Sequence, residues 1–85
     1  MENIKVSNEW GVPNQFVIEE GKNIYFQSHD SIIAKKTPKG IFLDVNDWDY
    51  STTTGKYRNK FLNENISDTR KKIKSGEYKL INLNE

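Results

Sequence analysis

The sequence predicts an α+β fold: an antiparallel β-meander of three to five strands, two short helices near the C-terminus packed on one face, and a closing C-terminal strand. Two observations lead to this prediction. Residues 15–45 contain short runs rich in β-branched and aromatic residues, separated by turn residues. Residues 51–75 instead combine hydroxyl side chains that can cap a helix, helical spacing of apolar residues and a terminating glycine.

Four strands of the meander follow one another through short turns. Gly21 suits the first turn because glycine readily adopts a positive φ, and Pro38 and Gly40 occupy favoured positions of a type I turn. His29 is interpreted as a turn residue. The strands are predicted at residues 15–18, 23–27, 31–36 and 41–45.

The first helix is predicted over residues 56–62. Ser51–Thr54 supplies hydroxyl groups just before it, and these can accept hydrogen bonds from the free N–H groups of the first turn. Tyr57 and Phe61 are four residues apart and share one face. Gly55 weakens the start of this helix, since glycine is a poor helix former.

The second helix is predicted over residues 68–75. Ser67 or Asp68 is expected to cap its start, and Gly76 is expected to end it in the left-handed conformation that glycine adopts easily. Residues 77–83 alternate in character and are predicted to form the closing strand. The whole chain, 1–85, is predicted to be one small α+β domain in which residues 1–13 form a loose arm or an edge strand.

Composition excludes several kinds of chemistry. The chain has no cysteine and a single histidine, so it lacks the ligands of a typical zinc site and the members of a nucleophilic triad. The five glycines stand alone, so there is no glycine-rich phosphate loop. We therefore expect no enzyme activity, no catalytic residues, no cofactor and no small-molecule substrate.

The acidic segment Asp44–Asp49 is the densest group of oxygen ligands in the sequence. It does not match a calcium loop of the EF-hand type, because neither possible register places glycine at the sixth position or glutamate at the twelfth. We interpret the segment as a turn that leads into the first helix, and we expect no metal. No run of residues is apolar enough to span a membrane, and the N-terminus does not resemble a signal peptide, so a cytoplasmic location is expected.

Charge is unevenly distributed and suggests a binding surface. Residues 1–50 contain five lysines and eight acidic residues, whereas residues 51–85 contain eight basic and four acidic residues. Such a basic half can face an anionic partner, although an ordinary solvated helix surface gives the same pattern. Four aromatic residues in and just before this half can serve as core anchors or as contacts for a partner: Trp48, Tyr50, Tyr57 and Phe61. We favour the core for them, because the chain has few other large apolar residues to fill it. The candidate binding residues are Trp48, Lys56, Tyr57, Arg58, Lys60, Arg70, Lys71, Lys72 and Lys74.

Several segments also resemble one family of small proteins. These are Trp48–Ser51, Thr53–Thr54, Lys56–Asn59 with Phe61–Leu62, the ending Gly76–Leu80, and the central stretch Phe26–Ala34. They are similar to a family of uncharacterised proteins from phages and mobile elements of low-GC bacteria. The family has no known function, so the resemblance implies an accessory phage protein and supplies no site residues.

A small accessory protein without catalytic groups is expected to act by binding. The first hypothesis is an inhibitor of a host or defence protein or ribonucleoprotein, in the manner of an anti-CRISPR protein. The alternative is a nucleic-acid-binding protein whose basic second half contacts phosphates. A structural or assembly module is a third possibility. The net charge of +1 favours the inhibitor, because it is low for a protein whose main ligand is phosphate.

Overall fold

The computed structural model describes residues 4–84, which form six strands and two helices. The elements, in chain order, are β1 (Ile4–Ser7), β2 (Gln15–Glu20), β3 (Asn23–Ser28), β4 (Ser31–Thr37), β5 (Gly40–Asp44), α1 (Thr52–Leu62), α2 (Ile66–Ser75) and β6 (Tyr78–Ile81). The α+β class, the two helices after the meander and the C-terminal strand are as the sequence predicts.

The six strands form one sheet in which strands adjacent in sequence are adjacent in space. The first five strands pair antiparallel, whereas β6 pairs parallel to β5. Residues 8–14 connect β1 to β2, and two-residue turns connect β2 through β5. A parallel pair needs a long crossover, and α1 with α2 provides it. The sheet has six strands, one more than the four meander strands and the closing strand whose ranges the sequence predicts, because residues 4–7 pair with β2 as an edge strand, one of the two alternatives expected for residues 1–13. Residues 1–3 of the predicted arm lie outside the described residues.

Local backbone conformations explain where the strands begin and end. Gly21 and His29 both have a positive φ, of 60° and 55°, and each lies in the turn of a hairpin. Between β3 and β4 the register shifts after Phe26, so that one residue of β4, Ile33, has no partner on β3. This bulge places both Ile33 and Ala34 in the interior, where each is 0% exposed.

The helix boundaries differ from the predicted ones at both N-termini. Ser51 caps α1 by accepting a hydrogen bond from Thr54 N on its Oγ at 3.1 Å, so the helix begins at Thr52 and runs through Gly55. Asn65, rather than Ser67 or Asp68, caps α2, because its Oδ1 accepts a hydrogen bond from Asp68 N at 2.9 Å. Gly76 ends α2 in the left-handed conformation with a φ of 88°, as expected.

The core lies between the helices and one face of the sheet. Phe26 at its centre contacts Phe61 of α1, with ring centroids 5.8 Å apart, and Trp10 at 5.7 Å. A buried hydrogen bond of 2.9 Å between Ser28 Oγ and Thr54 Oγ1 joins β3 to the first turn of α1. The buried apolar side chains are Val17, Phe26, Ile33, Ala34, Leu43, Tyr57, Phe61, Leu62 and Tyr78.

Candidate functional site

Arg58 of α1 is a structural residue rather than a surface contact. It is 1% exposed, and its guanidinium lies 5.2 Å from the Trp48 ring centroid. Nη1 donates to Trp48 O at 2.9 Å and to Asp49 Oδ1 at 3.0 Å, and Nη2 donates to Asn59 Oδ1 at 3.0 Å. A buried guanidinium needs such partners because its desolvation is costly. Arg58 therefore anchors the segment before α1 to the helix, and its Nε is buried without a hydrogen-bond partner.

A second buried network fixes α2 and β6 to the end of α1. The Glu64 carboxylate, with 6% of its side chain exposed, accepts hydrogen bonds from Thr69 Oγ1 at 2.6 Å, Lys72 Nζ at 2.6 Å and Tyr78 OH at 2.9 Å. Burial tends to raise the pKa of Glu64, but the bonds from Lys72, Thr69 and Tyr78 outweigh it, so this pKa is lowered. The hydrogen bond to Glu64 raises the pKa of Lys72. Lys72 therefore forms an ion pair within the protein, with Glu64.

Lys36 of β4 ties the sheet to the last turn of α1. Its Nζ donates to Phe61 O at 2.5 Å and lies 4.3 Å from the Phe61 ring centroid. Burial lowers the pKa of Lys36, and the nearby Glu9 and Glu64 carboxylates oppose that shift. Together with the two networks above, this contact gives the helical layer a fixed geometry on the sheet.

The sequence-predicted site residues divide into two groups. Tyr57 is buried against Trp10, with ring centroids 5.3 Å apart, and Trp48 is half-buried above Arg58. These two aromatics, together with Arg58 and Lys72, hold the fold together. The other five side chains are exposed on the two helices: Lys56, Lys60, Arg70, Lys71 and Lys74. We refer to these five as the basic helical surface.

An open cleft of about 590 Å³ lies between the start of α1 and α2 and continues the basic helical surface. Lys56 and Arg70 contribute cations to its lining, and Ser51 and Thr52 contribute hydroxyl groups. Arg70 has 64% of its side chain exposed, and its Nη2 lies 3.4 Å from Asp49 Oδ2. This long, exposed ion pair restrains the arginine weakly, so Arg70 is free to contact a partner.

The second face of the sheet is a feature that the sequence analysis missed. The sheet residues that contact the helices, among them Phe26, Ser28, Lys36 and Tyr78, all project from one face. Among residues 4–84, no helix packs on the opposite face. Strand register aligns one side chain from each strand in a row across that face: Val6, Ile18, Tyr25, Lys35, Phe42 and Lys79. We call the surface of this row and the adjacent Phe16, Gln27 and Ile32 the open face.

A signal for the open face is present in the sequence. Strands covered on one side alternate apolar and polar residues, whereas in β2 the outward residues Phe16 and Ile18, both apolar, alternate with the inward residues Gln15 and Val17. In β3 and β5, likewise, the outward residues Tyr25 and Phe42 are each followed by a buried core residue, Phe26 and Leu43. Apolar or aromatic residues therefore lie on both faces of these three strands, so the second face is only partly polar.

The described part of the chain has neither a candidate metal site nor a membrane-spanning helix. Residues 4–84 contain no group of three His, Cys, Asp or Glu side chains placed to hold a metal ion. Over the same residues, neither helix is long and apolar enough to cross a membrane.

The fold and these surfaces define a small α+β domain with a basic helical layer on one side of its sheet and a partly apolar open face on the other. The chain belongs to a family of unknown function (DUF8033), whose model matches residues 2–77. No curated protein and no solved structure matches the chain.

Proposed function

We propose that this protein acts by binding, as a non-enzymatic inhibitor of a host or defence protein or ribonucleoprotein in the cytoplasm of a bacterium that carries a phage or mobile element. The observation that supports this most directly is the rigid presentation of the basic helical surface. Two cations, Arg58 and Lys72, are used to fix α1 and α2, and five others are left exposed on those helices.

Rigid presentation matters because binding costs free energy when mobile groups become ordered. Arg58, Glu64 and Lys36 fix the helices before any partner arrives, so the interface needs little reorganisation. Cations spaced over two helices complement an acidic protein surface and speed its association. A standard interface of about 800 Å² per partner is within reach of a domain this size.

The experiment uses the purified protein as bait in a bacterial lysate, beside two charge-reversal variants. Lys71→Glu with Lys74→Glu alters the basic helical surface. Lys22→Glu with Lys39→Glu makes the same change in net charge at exposed turns of the sheet. We expect a partner that wild type and the turn variant retain in a complex of fixed stoichiometry, and that the helix variant loses. Equal retention by all three proteins, or no stoichiometric complex, contradicts the proposal.

Inhibition itself is tested by phage plating on bacteria that carry a defined defence system. Expression of wild type and of the turn variant is expected to restore plating, whereas the helix variant is expected to fail. A partner that binds stoichiometrically without any effect on defence would retain the binding role and refute the anti-defence role.

The alternative function is nucleic-acid binding, which the same five cations favour. If all five contacted duplex phosphates, the logarithm of the affinity would fall with the logarithm of salt concentration with a slope of about −4.5. Each lysine changed to glutamine would then reduce the slope by about 0.9. We rank this function second, because the cations are accompanied by Asp49, Asp68 and Glu77 on and around the helices.

A further inference from the structure

The open face carries aromatic and cationic side chains in an alternating row. Tyr25 of β3, Lys35 of β4, Phe42 of β5 and Lys79 of β6 are in register across four neighbouring strands. Lys35 Nζ lies 5.5 Å from the Tyr25 ring centroid, which confirms that the two side chains share the face. Neighbouring strands are about 4.8 Å apart, so Tyr25 and Phe42 lie about 10 Å from each other with Lys35 between them.

We propose that the open face binds single-stranded nucleic acid, with bases stacked on Tyr25 and Phe42 and phosphates beside Lys35 and Lys79. Aromatic rings on an accessible sheet face are good stacking platforms, because every unpaired base has a π-face. Interleaved lysines supply the charge that the backbone of the strand requires. This goes beyond the proposed function, since it uses different residues on the opposite side of the sheet from the helices.

Charge on the open face favours a nucleic-acid strand over a second copy of the chain. Two copies stacked face to face would bring Lys35 and Lys79 into a shared apolar interface. Glu20 also projects from this face, beside Ile18 at one end of the row, but it is two strands from Lys35 and four from Lys79. Asp44 is 1% exposed and accepts hydrogen bonds from Asn46 N, Asp47 N and Leu83 N, so its oxygens are occupied by backbone donors and it forms no ion pair with Lys35 or Lys79. Burial of lysines without partners is unfavourable, whereas a polyanion pairs with them.

The test measures fluorescence anisotropy of labelled oligodeoxythymidine and oligouridine of about a dozen nucleotides, a length within the range that single-strand sites cover. The aromatic variants are Tyr25→Thr and Phe42→Thr, since threonine keeps the preference for a strand. The charge variant is Lys35→Gln with Lys79→Gln. Its matched control, Lys22→Gln with Lys39→Gln, removes the same charge from exposed turns of the sheet, outside both proposed surfaces.

We expect each aromatic variant to weaken binding about tenfold, in line with the loss of one stacked base. The charge variant is expected to reduce the slope of log affinity against log salt concentration by about 1.4, which corresponds to two phosphate contacts on a single strand. The matched control is expected to leave the affinity unchanged within about twofold. Circular dichroism and thermal unfolding verify that each variant is folded. Amide chemical shifts of wild-type protein, titrated with the oligonucleotide, are expected to move in β3–β5.

Three results would overturn the proposal. The first is no binding of either oligonucleotide at low salt. The second is binding that Lys71→Gln with Lys74→Gln removes and the open-face variants retain, with shifts confined to α1 and α2. The third is a dimer in sedimentation that Phe42→Thr dissociates, in a protein that binds no strand. The first and third results leave the lysate experiment unaffected, whereas the second would assign Lys71 and Lys74 to nucleic acid and favour the alternative function. Loss of the lysate partner would overturn only the proposed function, so the two failures can be told apart.

Discussion

The Arg58 guanidinium lies 5.2 Å from the Trp48 ring centroid while its Nη1 donates to the Trp48 carbonyl at 2.9 Å. One arginine thus holds both the side chain and the backbone of the segment that leads into α1. Because Asp49 pairs with the same Nη1, this segment is fixed at two successive residues. Arg58, which the sequence analysis named as a binding residue, therefore stabilises the candidate site from the interior of the protein.

Replacement of Arg58 is therefore expected to reduce stability rather than only surface charge. Arg58→Ala removes three hydrogen bonds and leaves the Trp48 carbonyl without that donor, so the free energy of unfolding should fall by about 3 kcal/mol. Urea denaturation measures this change. The control is Arg70→Ala, which removes an exposed cation and should change stability by less than about 0.5 kcal/mol. Equal effects of the two variants would contradict the structural role of Arg58.

Gly55 lies in α1 where the structure gives no backbone reason for glycine. A Cβ at this position would meet Arg58 Nη2 at 3.4 Å, an ordinary van der Waals contact. Alanine favours the helix over glycine by about 0.8–1 kcal/mol, so Gly55→Ala is expected to raise the free energy of unfolding by roughly that amount. Thermal unfolding would show a higher midpoint. A lower midpoint would mean that the guanidinium needs the space.

The Ser28–Thr54 hydrogen bond predicts a non-additive pair of substitutions. Thr54→Val leaves the buried Ser28 hydroxyl without its 2.9 Å partner and should cost about 1–2 kcal/mol. Ser28→Ala combined with Thr54→Val removes both polar groups, so the double variant should be more stable than the sum of the single changes predicts. A double-mutant cycle by chemical denaturation measures the coupling. Strict additivity would show that the two hydroxyls do not interact.

The Glu64 network predicts a specific dependence of stability on pH. The folded state lowers the pKa of Glu64 below its ordinary value of 4.5, because hydrogen bonds from Lys72, Thr69 and Tyr78 outweigh burial. Its contribution is therefore complete above that ordinary value and is lost as pH falls through the folded pKa. Glu64→Gln should reduce stability by about 1–2 kcal/mol at neutral pH. The unfolding free energies of variant and wild type should converge in acid, and a constant difference at all pH values would contradict this account.

Much of the fold follows from local sequence patterns. The hairpin turns are specified by residues that tolerate positive φ, such as Gly21, and the end of α2 by Gly76. The predicted start of α2 was wrong. Serine, aspartate and asparagine are all good N-cap residues, and only the path of the folded chain selects Asn65 over Ser67 and Asp68. The parallel pairing of β6 depends on the crossover through both helices, which no short-range pattern encodes.

The candidate site was harder to predict from the sequence than the fold was. Lys72 and Arg58 resemble their exposed neighbours in sequence, yet their partners Glu64 and Asp49 lie eight and nine residues away and meet them only in the folded chain. Tyr50, interpreted as a core anchor, is 67% exposed, whereas Tyr57 is buried. The open face was missed because its residues come from six strands and become a surface only through the sheet register.

The central claim is that the basic helical surface serves a protein partner while the open face serves a single strand. The most direct test is the salt dependence of affinity for duplex and single-stranded DNA, measured side by side on wild-type protein. The account predicts single-strand binding with a slope near −1.4, from two phosphate contacts, and little duplex binding. Tight duplex binding with a slope near −4.5, lost in Lys71→Gln with Lys74→Gln, would contradict it and assign the helices to phosphate.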